Sequence, residues 1–160
     1  EIYNKDILDC LPIIKLIKPN KTVADLGSGG GLPGILLSIT KPKNKITLIE
    51  SNQKKCYFLR SVIHTLDLKN TTVLNKKLTK QNKIGVFDII TARAFASIEK
   101  IIRLTTNNIG EKSKYILLKG REEKTQEELK LLDTKKYRYE IIKLDNKNQE
   151  RNLVLIKNNE

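Results

Sequence analysis

Thirteen residues, Thr22 to Gly34 (TVADLGSGGGLPG), constrain this chain more than any other stretch. They hold a short apolar run, one acid, five glycines and a proline. Val23, Ala24 and Leu26 have the continuous apolar character of a buried parallel strand, and Asp25 stands where that strand ends. Gly27, Gly29, Gly30 and Gly31 permit positive φ and let a ligand approach the backbone without meeting a Cβ. Pro33 suits position N1, so Gly34 to Ile39 is expected to run on as a helix whose first amides face the turn. The stretch predicts a strand, a tight turn and a helix start, and hence a cradle for a nucleotide.

Two ligands compete for that cradle, beside the reading of a glycine-rich loop with none. Gly29, Gly31 and Gly34 satisfy the G-x-G-x-x-G fingerprint of dinucleotide sites. The same region also fits an acid-x-Gly-x-Gly-x-Gly turn through Asp25, Gly27, Gly29 and Gly31. The second register sets the turn directly after the strand and supplies a carboxylate, which suits a cationic ligand such as S-adenosylmethionine better than the pyrophosphate of NAD.

The rest of the chain reads as alternating elements. Residues 2–17 carry apolar positions at helical spacing interrupted by Pro12, which predicts a helix followed by a second short one. Lys41 to Asn44 form a turn, and Ile46 to Ile49 a buried strand ending in Glu50. The interval from Gly27 to Glu50 is that of a βαβ unit, placing the acid beside the turn, where it suits the two hydroxyls of a ribose. Ser51 is the expected N-cap of a helix through Leu66 with Cys56, Leu59, Ile63 and Leu66 on its apolar face. Further strands are expected at 71–74, 86–91 and 115–118. Ser97 caps a helix to about Asn107, and a charged helix spans 122–132. Tyr137 to Leu144 and Leu153 to Ile156, separated by the polar turn Asp145 to Asn152, predict a terminal antiparallel pair. The expected fold is a mostly parallel, seven-stranded α/β sheet covered on both faces and closed by an antiparallel hairpin. That closure favours a Rossmann-like class I methyltransferase over a dinucleotide fold, which normally continues in parallel.

Length and composition set the outer limits. At 160 residues the chain is read as one domain, large enough to bury roughly 70% of its unfolded surface. It has no signal-peptide pattern and no run long and apolar enough to span a bilayer, so a soluble, cytoplasmic protein is expected. It begins at Glu1 and has no methionine, which reads as a processed chain or one lacking its N-terminal part. Cys10, Cys56 and the single His64 give no zinc spacing; no metal is expected, the thiols are read as reduced, and His64 as structural. Lys and Arg exceed Asp and Glu by 31 to 18, a formal charge of +13, which suits a polyanionic partner such as RNA. Only six of the 31 are arginine, and a chain rich in Lys, Asn and Ile also reflects AT-rich codons, so charge alone leaves RNA binding open.

The chain resembles a known family on a set of motifs: Asp25-Leu26-Gly27-Ser28-Gly29-Gly30-Gly31-Leu32-Pro33-Gly34-Ile35, Lys54-Lys55 with Phe58-Leu59-Arg60, Ala92-Arg93-Ala94-Phe95-Ala96-Ser97, Leu118-Lys119-Gly120 and Glu150-Arg151-Asn152-Leu153-Val154. Their order and spacing are similar to the RsmG/GidB proteins, S-adenosylmethionine-dependent methyltransferases of bacterial 16S ribosomal RNA acting on guanine N7. Three departures stand out. Lys5 to Leu11 replace the family's Arg-His pair and Leu-Asp-Ser-Leu, its N-terminal helices have no counterpart here, and Asn75 to Thr79 offer no acid for the adenine.

The resemblance implies a cofactor site made by Asp25, Gly27, Ser28, Gly29, Gly31, Leu32, Glu50, Ser51, Lys77, Leu78 and Arg93. It implies that Arg93 and Lys119 act at the reacting centre and that Lys55, Arg93, Lys119 and Arg151 meet RNA. Guanine N7 already presents a lone pair, so transfer needs alignment rather than a general base. The implied partner is 16S rRNA or the 30S subunit, the expected state a monomer without membrane contact. An NAD-dependent oxidoreductase and a non-catalytic RNA-binding remnant are the alternatives.

Overall fold

The computed structural model describes residues 2–144 and 149–159. Helix α1 (Ile2–Leu16) leads into β1 (Thr22–Leu26), α2 (Gly34–Thr40), β2 (Lys45–Glu50), α3 (Gln53–Thr65) and β3 (Thr71–Asn75). The chain continues through β4 (Phe87–Arg93), α4 (Ile98–Thr105), a 3-10 turn (Thr106–Asn108), β5 (Ile109–Lys119), α5 (Glu122–Leu129), β6 (Tyr137–Leu144) and β7 (Arg151–Asn158). The seven strands form one sheet in the order β3-β2-β1-β4-β5-β7-β6. The first five are parallel, and β7 runs antiparallel to both β5 and β6. The α/β fold class expected from the alternation and the terminal pair is therefore the one observed.

Alternation along the strands divides the core between the two faces. Ala24, Leu26, Ile49, Ile90, Tyr115, Leu117 and Val154 pack against α4 and α5 through Ile98, Ile101 and Leu129. Val23, Ile46, Leu48, Ile89, Ile116, Leu118 and Leu153 pack on the other side with Ile13, Ile17, Leu37 and Leu59 of the first three helices and the segment after α1. Strand order reverses between β1 and β4, leaving a crevice beyond their carboxyl ends, where open α/β sheets bind ligands.

Local expectations needed correction at several places. Within the segment 2–17 a single continuous helix, Ile2–Leu16, runs through Pro12, not two. Proline removes the bond to the carbonyl of Leu8, on the side of the helix where Leu8 is 60% exposed. Burial of Cys10 and Ile13 on the opposite face keeps the axis continuous. Pro33 occupies the N-cap rather than N1, and the Leu32–Pro33 peptide is cis. The cap of α3 is Asn52, not Ser51: its Oδ1 accepts from the Lys55 amide at 3.0 Å, and Ser51 instead lies in the bend between the end of β2 and that cap. Leu66, placed on the apolar face of α3, is 49% exposed beyond its last turn. Ser97 does cap α4, accepting from the Lys100 amide. The turn expected over 145–152 falls in part on 145–148, outside the described residues.

Candidate cofactor and acceptor site

The glycine turn leaves β1 and bends at once against the end of β2. Gly27 and Ser28 donate their amides to the Ile49 carbonyl at 2.8 and 3.2 Å, and the Gly31 amide donates to the Ser28 carbonyl at 2.7 Å. The left-handed backbone at Gly27, Gly29 and Gly31 (φ 64°, 49° and 93°) follows from this reversal. Their surroundings differ. A Cβ on Gly27 would stand 2.5 Å from the Phe95 ring, and one on Gly31 2.7 Å from Ile35, so internal packing demands both glycines. In front of Gly29 and Gly30 the space is open: a Cβ on Gly29 would meet only the Gly27 carbonyl at 3.6 Å, and one on Gly30 nothing within 4 Å.

Glu50 closes the other side of this opening. Its Oε2 accepts from the Gly29 amide and its Oε1 from the Asn52 amide, both at 2.9 Å, as the βαβ interval led us to expect of an acid beside the turn. The Cys56 thiol and the Asn75 amide donate to the Glu50 carbonyl, so backbone and side chain are both held. Glu50 is 7% exposed, and its carboxylate uses one acceptor position per oxygen, out of about four in all. Acceptor capacity remains toward the opening, which fits the two vicinal hydroxyls of a ribose.

Asp25 lies beneath the turn. Its Oδ2 accepts from the Gly34 amide at 3.2 Å and its Oδ1 from the Thr91 hydroxyl at 3.2 Å. Burial pushes its carboxyl up to about 6, against the opposing pull of these hydrogen bonds. Among the described residues no cation forms an ion pair with it, so at neutral pH a buried negative charge lies beneath the turn. Ser28 is buried and donates to the Asp25 carbonyl, while Leu32 is half-buried. Ser51 and Lys77 are exposed, and Leu78 is buried in the core on the α4 face of the sheet.

Next to the turn, a cleft of about 570 Å³ opens over the ends of β4 and β5. The segment from Arg93 to Ser97 forms one wall, and Lys119, Glu128 and Arg151 another. Ala94 has a left-handed backbone (φ 51°), which an L side chain rarely adopts and which redirects the chain off β4. Each strand-end cation expected at the site is paired. Arg93 Nη1 donates to Asp6 Oδ1 at 2.7 Å, Lys119 Nζ to Glu128 Oε2 at 2.7 Å and to the Ala96 carbonyl at 2.8 Å, and Arg151 Nε to Asp9 Oδ2 at 3.2 Å. Lys55 projects from the exposed side of α3. His64, also on α3, is exposed near the helix end.

Sequence reasoning missed the acids that hold these cations. Asp6 and Asp9 stand three apart on one helix, a spacing that puts them on a common face and marks them as a pair aimed at the sheet. Glu128 carried no such signal. Among the described residues, no group of three or more His, Cys, Asp or Glu is arranged to hold a metal ion, and no helix is long and apolar enough to cross a membrane.

Comparison with known proteins gives one consistent answer. The sequence model described as GidB, rRNA small subunit methyltransferase G, matches residues 1–154. A ribosomal RNA small subunit methyltransferase G from Francisella tularensis is 39% identical over 159 residues, covering 98% of this chain and 74% of that protein. Its counterpart from Brachyspira hyodysenteriae is 39% identical over 160 residues, covering 98% and 76%. Among solved structures, a SAM-dependent methyltransferase from Aquifex aeolicus superimposes with a TM-score of 0.75 at 14% identity, covering 98% of this chain and 93% of that one. TrmK of M. capricolum, solved with S-adenosylhomocysteine, gives 0.72 at 18% identity, covering 93% and 67%. These two share the fold. The family match and the identity over 98% of this chain establish kinship as well: the chain belongs to the GidB family, the rRNA small subunit methyltransferase G proteins.

Proposed function

We propose that this chain transfers a methyl group from S-adenosylmethionine to N7 of a guanine in 16S ribosomal RNA, by in-line displacement without a general base. The observation that carries the proposal is the juxtaposition of Glu50 with the open face of Gly29 and Gly30 at the point where strand order reverses. When bound, S-adenosylmethionine supplies an electrophilic methyl carried on a sulfonium. Glu50 holds the ribose hydroxyls, the backbone from Gly27 to Leu32 admits the methionine part, and the Asp25 charge favours its cationic groups. Ser51, Lys77 and Leu78 border the adenine.

The chain's work on the acceptor side is alignment. The guanine enters the cleft between the Arg93–Ser97 segment and Lys119, where orientation replaces proton abstraction. Charge balance there matters, because N7-methylated guanine is cationic. An unpaired cation at about 6 Å would raise that product by about 3 kcal/mol at an effective dielectric of ~20. Pairing Arg93 with Asp6 and Lys119 with Glu128 cancels most of this penalty while leaving guanidinium and ammonium donors to orient the base and its phosphates. Lys55 and Arg151 contact phosphate from the margins.

The 160 residues act as a single catalytic domain and as a monomer, on 16S rRNA either free or within the 30S subunit, in the cytoplasm. An NAD-dependent activity is disfavoured by β7, which is inserted antiparallel between β5 and β6. Titration calorimetry tests the cofactor assignment. S-adenosylmethionine or S-adenosylhomocysteine is expected to bind in the micromolar range, weakened in Glu50→Ala. Saturable NADH binding with no response to either compound would overturn it.

A further inference from the structure

At the amino ends of the strands, opposite the site just described, lies a second and larger depression of about 1190 Å³. It is shaped by the turn before β1, the start of β5 and the ends of the β6–β7 pair. Eight of its fifteen lining residues are Lys or Arg, against 31 in 160 for the whole chain, so biased codon usage alone does not place them there. Its two acids offset only two of these eight charges: Asp88 accepts from the amide and hydroxyl of Thr22, at 2.9 and 3.2 Å, and among the described residues no ion pair joins Glu111 to a cation.

The arrangement of the lysines is costly in the free protein. Lys114 and Lys157 are directly opposed across the antiparallel β5–β7 pair, a position where like charges destabilise a sheet. Burial, and then the charges of Lys157, Lys18 and Lys21, push the Lys114 ammonium below its ordinary range. Among the described residues no carboxylate forms an ion pair with Lys18, Lys21, Lys114 or Lys157. The carboxyl edge presents the reverse case, with Arg93, Lys119 and Arg151 each joined to an acid. Uncompensated charge has therefore been kept at the end of the sheet away from the chemistry.

We infer that this amino-edge trough is a second RNA contact, in which Lys18, Lys114 and Lys157 seat the phosphodiester backbone of the substrate at a distance from the guanine to be modified. Only Arg138 among its eight cations is an arginine, and lysines act as point charges toward phosphate rather than as bidentate readers of base edges. The contact is thus independent of sequence. Lys114 and Lys119 are five steps apart on β5, roughly 17 Å at ~3.3 Å per residue, so the phosphates held here belong to another part of the folded RNA than the acceptor. The trough exceeds the ~300–1,000 Å³ of ordinary small-ligand pockets, in keeping with a polymer as occupant.

This inference rests on RNA being the substrate, and its test separates the two. The full chain is titrated with 16S rRNA across a series of salt concentrations, alongside K18A/K114A/K157A and a control of equal charge loss on the α4 and α5 surface, K100A/R103A/K130A. The trough triple is expected to bind RNA at least ~10-fold more weakly at low salt, with the slope of log affinity against log salt reduced by about two to three, at ~0.7–0.9 per phosphate contact. Its S-adenosylmethionine affinity stays unchanged, and K18R/K114R/K157R restores RNA binding. Equal affinity and slope in the trough and control triples would overturn the inference, even if methyl transfer is confirmed. So would trough-dependent binding to vesicles of anionic phospholipid without an effect on RNA. Trough-dependent RNA binding by a chain that transfers no methyl group would uphold the contact and overturn the proposed reaction alone.

Discussion

Asp6 and Arg93, 87 residues apart in sequence, meet at 2.7 Å and tie the first helix to the end of β4, at the wall of the acceptor cleft. Each side chain is 30% exposed, so the pair is partly screened and is worth about 1 kcal/mol or less to stability. Its larger effect is to fix the guanidinium. Arg93→Ala is expected to lower methyl transfer at least ~10-fold, the equivalent of about 1.4 kcal/mol of transition-state binding, and to weaken cofactor binding by a smaller factor. Asp6→Ala, which keeps the cation but frees it, is expected to fall between Arg93→Ala and the parent chain. Single-turnover kinetics beside calorimetry read both quantities.

Glu50 joins the turn and the open cradle, so its removal should be felt by the ligand more than by the fold. Loss of two hydrogen bonds to a charged acceptor predicts a roughly 10- to 1,000-fold weaker cofactor affinity in Glu50→Ala, or about 1.5–4 kcal/mol. The Gly29 and Asn52 amides lose their acceptor too, but the opening lets water take its place. The melting temperature of the free protein should therefore fall by only a few degrees.

The glycines divide into two kinds, and substitution separates them. A Cβ on Gly34 would stand 2.2 Å from Leu48 and 2.5 Å from Asp25, inside the core. Gly34→Ala is expected to cost about 2–3 kcal/mol of stability through overpacking. Gly30 has free space around it and no positive φ, so Gly30→Ala should leave the denaturant midpoint within experimental scatter while weakening cofactor binding. A stability loss in Gly30→Ala equal to that in Gly34→Ala would show that the turn has no open face.

Asp25 gives a pH signature. Its folded-state carboxyl lies at about 6, above the ordinary 3.8, so the folded protein takes up this proton more readily than the unfolded chain. The site's contribution is then favourable at low pH and is lost as pH rises from about 4 to 6, leaving the ionised form a net cost at neutrality. Asp25→Asn preserves an acceptor for the Gly34 amide and removes the buried charge. It is expected to raise unfolding free energy at pH 7–8 by up to about 3 kcal/mol, with no gain below pH 4, and to weaken binding of the cationic cofactor. Urea titrations at several pH values, paired with calorimetry, check both halves.

The sheet and the cradle were legible because their signals are local. The apolar runs of Val23–Leu26 and Ile46–Ile49 mark buried parallel strands, and Glu50 falls at the βαβ interval from the turn. Boundaries set by tertiary contact were not. Strand β5 begins at Ile109, six residues before the expected start at 115, since the polar stretch from Gly110 to Lys114 becomes extended only by pairing with neighbours, as Lys114 does with Lys157. The continuity of α1 through Pro12 goes with the burial of Cys10 and Ile13 on one face and the exposure of Leu8 on the other, a tertiary setting that no periodicity records. At the candidate site, Arg93, Lys119 and Arg151 were identifiable by position, but their pairing with Asp6, Glu128 and Asp9 joins segments brought together only by folding.

Methyl transfer itself is measured by incubating the purified chain with methyl-labelled S-adenosylmethionine and either free 16S rRNA or 30S particles lacking the modification, then mapping the labelled nucleotide. Label at N7 of a single guanine, abolished in Glu50→Ala and strongly reduced in Arg93→Ala, is the expected result. Label on another atom or on no RNA at all, from a chain that binds the cofactor and both RNA substrates, would contradict the assignment.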